Sequence, residues 1–247
     1  MIRRIKLATQ RVAPTRPAPE LRLLLREASY PLSPLTRRLR RQPQISQAAD
    51  PKVVMVLPGF LAHPITMSYL SRQIERAGHQ AKQWGIGLNL GASEERMRRL
   101  EHRLDELFRK HEKPIVLLGW SLGGILAREL AKRRAHQVAK VITMGSPFSG
   151  DPRENNAWRL YQFVAGHAVD DPPIESELSV KPPVETVALW SPRDGIVSPR
   201  SAAGRPGERD RAIATRTTHM GFSYSAEAVE KVVNELDEQQ VIKRNYL

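Results

Sequence analysis

A serine flanked by glycines is the feature of this chain best suited to nucleophilic chemistry. Residues 114–134 read PIVLLGWSLGGILARELAKRR, in which an apolar run leads into GWSLG at 119–123 and then into leucines at helical spacing. A strand that turns directly into a helix needs glycines there, because side chains would collide across the turn. The pattern predicts that Ser121 sits on a strained turn, with its hydroxyl beside a helix N-terminus that favours developing negative charge.

An acid and a base follow Ser121 in the chain. Residues 184–197 read VETVALWSPRDGIV, a short apolar strand with Asp194 in the turn after it. Residues 212–222 read AIATRTTHMGF, a β-type run with His219 just past its end. An imidazole can take the Ser121 proton while a carboxylate fixes its tautomer and stabilises the imidazolium. We therefore predict a catalytic triad of Ser121, Asp194 and His219.

Other carboxylates remain alternatives for the acid. Asp151 follows the strand-like run at 138–144, and Asp170 and Asp171 lie further along, near His167. One histidine beside two adjacent carboxylates is more typical of a solvated loop than of a metal site, so we expect no metal and no other cofactor. The chain contains no cysteine, which excludes disulfides, cysteine metal ligands and a cysteine nucleophile.

A buried-type strand at 52–60, KVVMVLPGF, ends in Pro58-Gly59-Phe60. With the features above, it makes the chain resemble lipases and carboxylesterases of the α/β-hydrolase superfamily. In that family a His-Gly-x segment after an early strand supplies one oxyanion-binding N–H, and the residue after the nucleophile supplies the other. The resemblance implies Phe60 and Leu122 as these donors, with Leu61 as the alternative. Pro58 stands where the family usually has histidine.

A second segment strengthens the resemblance. Residues 145–150, GSPFSG, are similar to the Gly-Thr-Pro-His-x-Gly segment of many lipases, with Ser in place of Thr and Phe in place of His. The similarity extends over roughly residues 52–235. It implies a serine hydrolase that cleaves carboxylic esters through an acyl-enzyme. Thioester hydrolysis and acyl transfer use the same constellation and remain alternatives.

The fold class follows from alternating strand and helix patterns. We predict an α/β-hydrolase fold in residues 51–247: a mainly parallel central sheet flanked by helices, with a cap insertion at about 149–183 and a basic helical extension at 1–50. Strands are predicted near 53–57, 80–85, 115–119, 139–144, 186–190 and 212–216. Helices are predicted near 65–77, 93–112, 122–134 and 225–238.

The insertion carries aromatic residues in a chain that has few of them. A helix at 154–165 would place Trp158, Tyr161 and Val164 on one face. We interpret the segment as an acyl-binding lid, and a plain surface excursion is the alternative. His63, after the oxyanion segment, is expected either to touch substrate or to cap a helix. The side chains expected to bind substrate are Trp120, Leu61, Trp158 and Met220.

The first 50 residues are strongly basic. They hold 11 lysines and arginines against 3 acids, a net of 11 − 3 = +8 out of +13 for the whole chain. Residues 20–28 place Leu21, Leu24 and Leu25 on one helical face. Either this arm lies on an anionic membrane or partner, or its leucines pack on the hydrolase core. We favour core packing.

Two rival classes of function follow from the charge and the fold. The sequence pI is about 10.5, and the arginines at 37, 38, 40 and 41 would attract phosphates, but no helix-turn-helix, zinc spacing or RNP-like aromatic pair is found. Specific nucleic-acid binding is therefore not expected. A catalytically inert hydrolase-fold binding protein is the other rival.

The remaining expectations concern partner and location. The expected partner is a small-molecule or lipid acyl ester, and the sequence does not fix the oligomeric state. No signal-peptide core follows Arg3 and Arg4, and no apolar run is long enough to span a membrane. A cytoplasmic location is expected, with an organelle transit peptide as the alternative.

Overall fold

A single parallel sheet forms the centre of the molecule. The computed structural model describes residues 1–28, 30, 41–174 and 177–238. Within these ranges six strands pair in parallel in the order β2-β1-β3-β4-β5-β6. They are β1 (Val53–Leu57), β2 (Gln80–Gln83), β3 (Ile115–Trp120), β4 (Val138–Met144), β5 (Glu185–Trp190) and β6 (Arg211–Ala214). The predicted parallel sheet flanked by helices is confirmed.

The helices are α1 (Ile2–Ala8), α2 (Leu21–Glu27), α3 (Ser68–Arg76), α4 (Glu94–His111), α5 (Leu122–Arg133), α6 (Trp158–Ala165), α7 (Pro199–Ala203) and α8 (Ala226–Asp237). The helix expected from residue 65 opens with a 3-10 turn at Pro64–Met67, and the one expected from 154 begins at Trp158. The sequence patterns did not predict α1 and α7. No helix in the described ranges combines the length and apolar character needed to cross a membrane.

The sheet is buried on both faces. Successive residues of a strand point to opposite sides, so Val54 and Val56 join α3 and α8 in one core layer, while Met55 and Leu57 join α4 and α5 in the other. All residues of β1 and β3 are buried. Because every strand runs the same way, the carboxyl ends of all of them meet at one edge, where parallel sheets place their ligands.

The N-terminal arm contacts the rest of the molecule through polar groups. Gln162 Nε2 of α6 donates to Leu7 O at 2.6 Å, beside the contact of α1 with α6. The expected packing of leucines on the core is wrong for two of the three, because Leu21 is 73% and Leu25 is 75% exposed, while Leu24 is half-buried. Contact of the arm with an anionic membrane stays a prediction.

The predicted arginine patch is described only in part, since residues 37, 38 and 40 lie outside the described residues. Arg41 forms an ion pair with Glu230 of α8 at 3.0 Å. The amide of Gln44 donates to the same carboxylate at 2.7 Å. This end of the arm is therefore also attached to the body of the molecule.

Candidate active site

Ser121 occupies a sharp turn between β3 and α5. Its φ is 53° and its ψ is −123°, a strained conformation for a residue with a side chain. A Cβ atom on Gly119 would lie 2.4 Å from Gly123 O, and one on Gly123 would lie 2.3 Å from Leu57 O. Both contacts are with backbone atoms that cannot swing aside. The two glycines are therefore required for α5 to approach the sheet and hold Ser121 at its edge.

Asp194 and His219 form a buried pair at the same edge of the sheet. Asp194 follows β5 and His219 follows β6, and they are 1% and 2% exposed. His219 Nδ1 is 2.7 Å from Asp194 Oδ2, and Asp194 Oδ1 accepts from the amides of Ile196 and Val197 at 2.8 Å each. Because Nδ1 faces the carboxylate, Nε2 is the nitrogen left for proton transfer.

Trp120, the residue before Ser121, links the turn to the base. Its indole Nε1 donates to His219 O at 3.1 Å, and the two rings are 5.6 Å apart. A Cβ atom on Gly145, just after β4, would be 3.1 Å from His219 Nδ1. His219 therefore fits closely between the ends of β3 and β4. The indole is buried in this contact and was expected instead to bind substrate.

The protonation of His219 reflects two opposing effects. Burial disfavours the charged imidazolium, while the charge of Asp194, its hydrogen bond and the charge of Glu27 favour it. The carboxylates prevail, so the pKa of His219 is raised above its ordinary value. A raised pKa makes this ring a stronger proton acceptor when it is neutral.

The residues predicted to bind an oxyanion lie around Ser121. Phe60 and Leu122 line the same cavity as Ser121. Leu122 is the first residue of α5, so its amide has no acceptor one turn earlier in the helix. The alternative donor is not supported, because the Leu61 amide already donates to Asn89 O at 2.8 Å.

Asn89 holds the loop that contains Phe60. It is fully buried, and its Nδ2 donates to Pro58 O at 2.8 Å. Its backbone adds the bond from Leu61 and a second one, from its own amide to Ala62 O at 3.2 Å. One asparagine thus fixes both sides of Phe60. Nothing in the sequence near residue 89 indicates this role, since it depends on a contact between distant segments.

A largely apolar cavity opens in front of Ser121. The empty volume between its walls is about 700 Å³, which includes open solvent at the mouth of the cavity. Tyr161 and Trp158 of α6 form part of its wall, and the Tyr161 hydroxyl accepts from the Ala92 amide at 3.2 Å. The remaining lining residues are Phe60, Ala92, Leu122, Ile125, Pro147, Pro152, Asn155, Ala157, Val169, Pro172, Ile174, Leu178, Ile196 and Val197.

The predicted substrate-binding residues fall into two groups. Trp158 lines the cavity, whereas Trp120, Leu61 and Met220 do not. Leu61 is exposed at a positive φ of 55°. The Met220 amide is bound by Glu27, a residue of the arm. Trp120 instead contacts His219, and the backbone amides of Leu61 and Met220 are bound by Asn89 and Glu27.

Comparisons with known proteins agree with this architecture. The family profile described as "PGAP1-like alpha/beta domain" matches residues 95–196, less than half of the chain. Bacillus licheniformis lipase BlEst2 in its mature form is 14% identical, with a TM-score of 0.54, over 81% of this chain and 95% of that chain. Bacillus subtilis carboxylesterase CesB is 12% identical, with a TM-score of 0.51, over 87% and 98%. This chain has the α/β-hydrolase fold. No curated protein sequence matches it significantly.

Within this α/β-hydrolase fold, two of the three alternative acids, Asp151 and Asp170, lie in other interactions. Asp151 Oδ2 accepts from the Thr15 amide at 2.9 Å, and its Oδ1 accepts from the Arg153 amide at 2.9 Å. Asp170 is paired with Arg153. Both carboxylates are therefore occupied away from His219.

The remaining histidines of interest have structural contacts. His167 lies 3.3 Å from the Tyr161 hydroxyl through Nε2 and 2.9 Å from Ala168 O through Nδ1. His63 is exposed and caps the 3-10 turn, accepting from the Ile65 amide at 3.4 Å. In the parts of the chain that the structure describes, no three His, Cys, Asp or Glu side chains come together as metal ligands would.

Proposed function

We propose that this protein is a serine hydrolase that cleaves carboxylic esters through an acyl-enzyme. The observation that carries the proposal is the position of Ser121, on a positive-φ turn in the wall of a cavity lined mainly by apolar side chains. A nucleophile held in this way faces any acyl group bound in the cavity. The esterases and lipases that share the fold support the same reaction class.

The chemistry would proceed in two halves. Ser121 Oγ attacks the ester carbonyl carbon while His219 Nε2 takes the hydroxyl proton. The amides of Phe60 and Leu122 bind the resulting oxyanion, and His219 returns the proton to the alcohol as the C–O bond breaks. Water then attacks the acyl-Ser121 ester with His219 again as base. Asp194 keeps the imidazole oriented in both halves.

The cavity favours a particular class of substrate. Apart from Ser121 and Asn155, its lining side chains are apolar or aromatic. Burying an apolar acyl chain there stabilises the complex by roughly 0.8 kcal/mol per CH₂ group. We therefore propose an ester with an uncharged, apolar acyl group. Thioester hydrolysis and acyl transfer would pass through the same acyl-enzyme.

The test uses a fluorophosphonate probe and a chain-length series of p-nitrophenyl esters. Wild type should be labelled once and should hydrolyse esters with a preference for apolar acyl chains. Ser121→Ala should lose labelling and turnover, whereas Ser46→Ala, at an exposed serine, should keep both. Labelling and hydrolysis that persist in Ser121→Ala would overturn the proposal. Analysis of products with added alcohol or with acyl thioesters separates the three acyl-enzyme reactions.

A further inference from the structure

A carboxylate from the N-terminal arm reaches the loops that carry the acid and the base. Glu27, the last residue of α2, is only 7% exposed. Its Oε1 accepts from the amides of His219 at 2.7 Å and Gly195 at 3.0 Å, and its Oε2 accepts from the Met220 amide at 2.9 Å. All three partners are N–H donors, which suits an ionised carboxylate. Glu27 thus binds the residue after Asp194, the base itself and the residue after the base.

The backbone of α2 is fitted to the same place. A Cβ atom on Gly195 would lie 2.4 Å from Leu23 O and 2.6 Å from Leu24 N. The glycine therefore lets α2 lie directly against the turn that contains Asp194. Asn156 reinforces the contact, because its Nδ2 donates to Gly195 O at 2.8 Å and to Pro19 O at 3.0 Å.

We propose that Glu27 is a positioning residue for the base of the proposed hydrolase, joining the acid loop to the base loop and adding a second negative charge near the imidazole. The inference rests on the proposed function, because it takes His219 to be the catalytic base. The geometry on which it stands is the set of three buried hydrogen bonds and the close contact of α2 with Gly195. Glu27 acts through His219, not on the substrate.

The charges around His219 predict the direction in which its pKa should change when Glu27 loses its charge. Asp194 approaches from the loop after β5 and Glu27 from α2, while Trp120 and Phe222, which also lie against the ring, carry no charge. Burial lowers the pKa of His219, and the two carboxylates raise it further than burial lowers it. The neutral ring is the active base, so activity rises as pH rises through this pKa. Removing the charge of Glu27 should move that rise to lower pH.

Two substitutions separate charge from geometry. Glu27→Gln keeps an oxygen that can accept from Gly195 and His219 but removes the charge and presents an amide N–H to Met220. Glu27→Ala leaves three buried amides without their acceptor, and misplacement of the base by such loosening lowers kcat/KM on the order of 10²-fold. Glu20→Gln is the matched control, because Glu20 lies on the same segment, is largely exposed and pairs with Arg22.

The experiment measures kcat/KM against pH for a p-nitrophenyl ester, together with the NMR titration of the His219 imidazole, assigned with His219→Gln. We expect Glu27→Gln to move both the acidic limb and the NMR midpoint to lower pH, and Glu20→Gln to move neither. If the acidic limb of the kcat/KM profile and the NMR midpoint are both unchanged in Glu27→Gln, the proposed role of Glu27 is wrong. If Ser121→Ala is inactive in the same experiment, the proposed function still holds.

Two further outcomes are decisive. If Glu27→Ala and Glu27→Gln lower the melting temperature but leave the His219 midpoint unchanged, Glu27 is a structural residue only and the proposal is wrong. If Ser121→Ala keeps full turnover, the proposed function fails, and the NMR midpoint alone still decides whether Glu27 controls the protonation of His219.

Discussion

The nucleophile turn and the acid–base pair meet at one edge of the sheet but are held there by different means. Ser121 is positioned by backbone contacts of nearby glycines with β1 and β3. Asp194 and His219 are hydrogen-bonded to each other. Glu27, 192 residues before His219 in the chain, binds the amides of His219 and of Gly195 beside Asp194. Steric fit positions the first region, whereas hydrogen bonds and charge join the members of the second in addition to close packing at Gly145 and Gly195. The two regions should therefore respond differently to substitution.

The largest expected effect tests whether the two regions act as one catalytic unit. His219→Ala should lower kcat for ester hydrolysis by about 10⁶-fold, as should Ser121→Ala. The double variant should be little worse than either, because each single change already removes the concerted proton transfer. Steady-state kinetics on a p-nitrophenyl ester measure all three. Losses that multiply in the double variant would show that His219 is not the base for Ser121.

The second prediction concerns the acid alone. Asp194→Asn should lower kcat by roughly 10⁴-fold, since the amide favours the wrong imidazole tautomer without changing the shape of the site. Asp151→Asn is the control and should stay close to wild type, because its carboxylate contacts Thr15 and Arg153. Near-normal activity in Asp194→Asn with collapse in Asp151→Asn would transfer the role of acid to Asp151.

A smaller effect is expected where α2 meets the acid loop. In Gly195→Ala the new methyl group would lie against Leu23 O, so α2 must move away and carry Glu27 with it. We expect kcat/KM to fall on the order of 10²-fold and the melting temperature to fall, while labelling of Ser121 becomes slower but is not abolished. Thermal melts and probe-labelling rates measure this. Wild-type values for both would show that α2 does not control the pair.

The smallest effect concerns the exposed leucines of the arm. Leu21→Ser with Leu25→Ser should change the free energy of unfolding by no more than about 0.5 kcal/mol per site, because both side chains already face solvent. Denaturant melts compare this double variant with wild type, with Glu27→Ala as the destabilised reference. A loss of several kcal/mol would restore the interpretation that the leucines pack on the core.

The sequence predicts the nucleophile turn well and the arm poorly. The glycine spacing around Ser121 indicates a local steric requirement, and apolar runs indicate buried parallel strands. Both features can be recognised in short stretches of the sequence. The helical pattern of α2 predicts burial of its leucines, yet Leu21 and Leu25 are exposed and Glu27 is buried, because three backbone N–H groups face its carboxylate. Leu61, Trp120 and Met220, which were expected to bind substrate, are not among the residues that line the cavity. Their contacts are with residues distant in sequence, such as Asn89 for Leu61 and Glu27 for Met220, and no local sequence pattern shows such contacts.

The long-range contact between Glu27 and His219 has a consequence for folding during synthesis. During synthesis from the N-terminus, β1, β3, β4 and the turn at Ser121 are complete once residue 145 has emerged, and their contacts can form at that stage. Glu27 emerges before the first strand of the sheet, but its partners His219 and Met220 emerge only after β6. Glu27 therefore cannot bind its partners until all six described strands have emerged, and this long-range contact is expected to form late in folding. The nascent chain would thus carry its nucleophile well before it can use it.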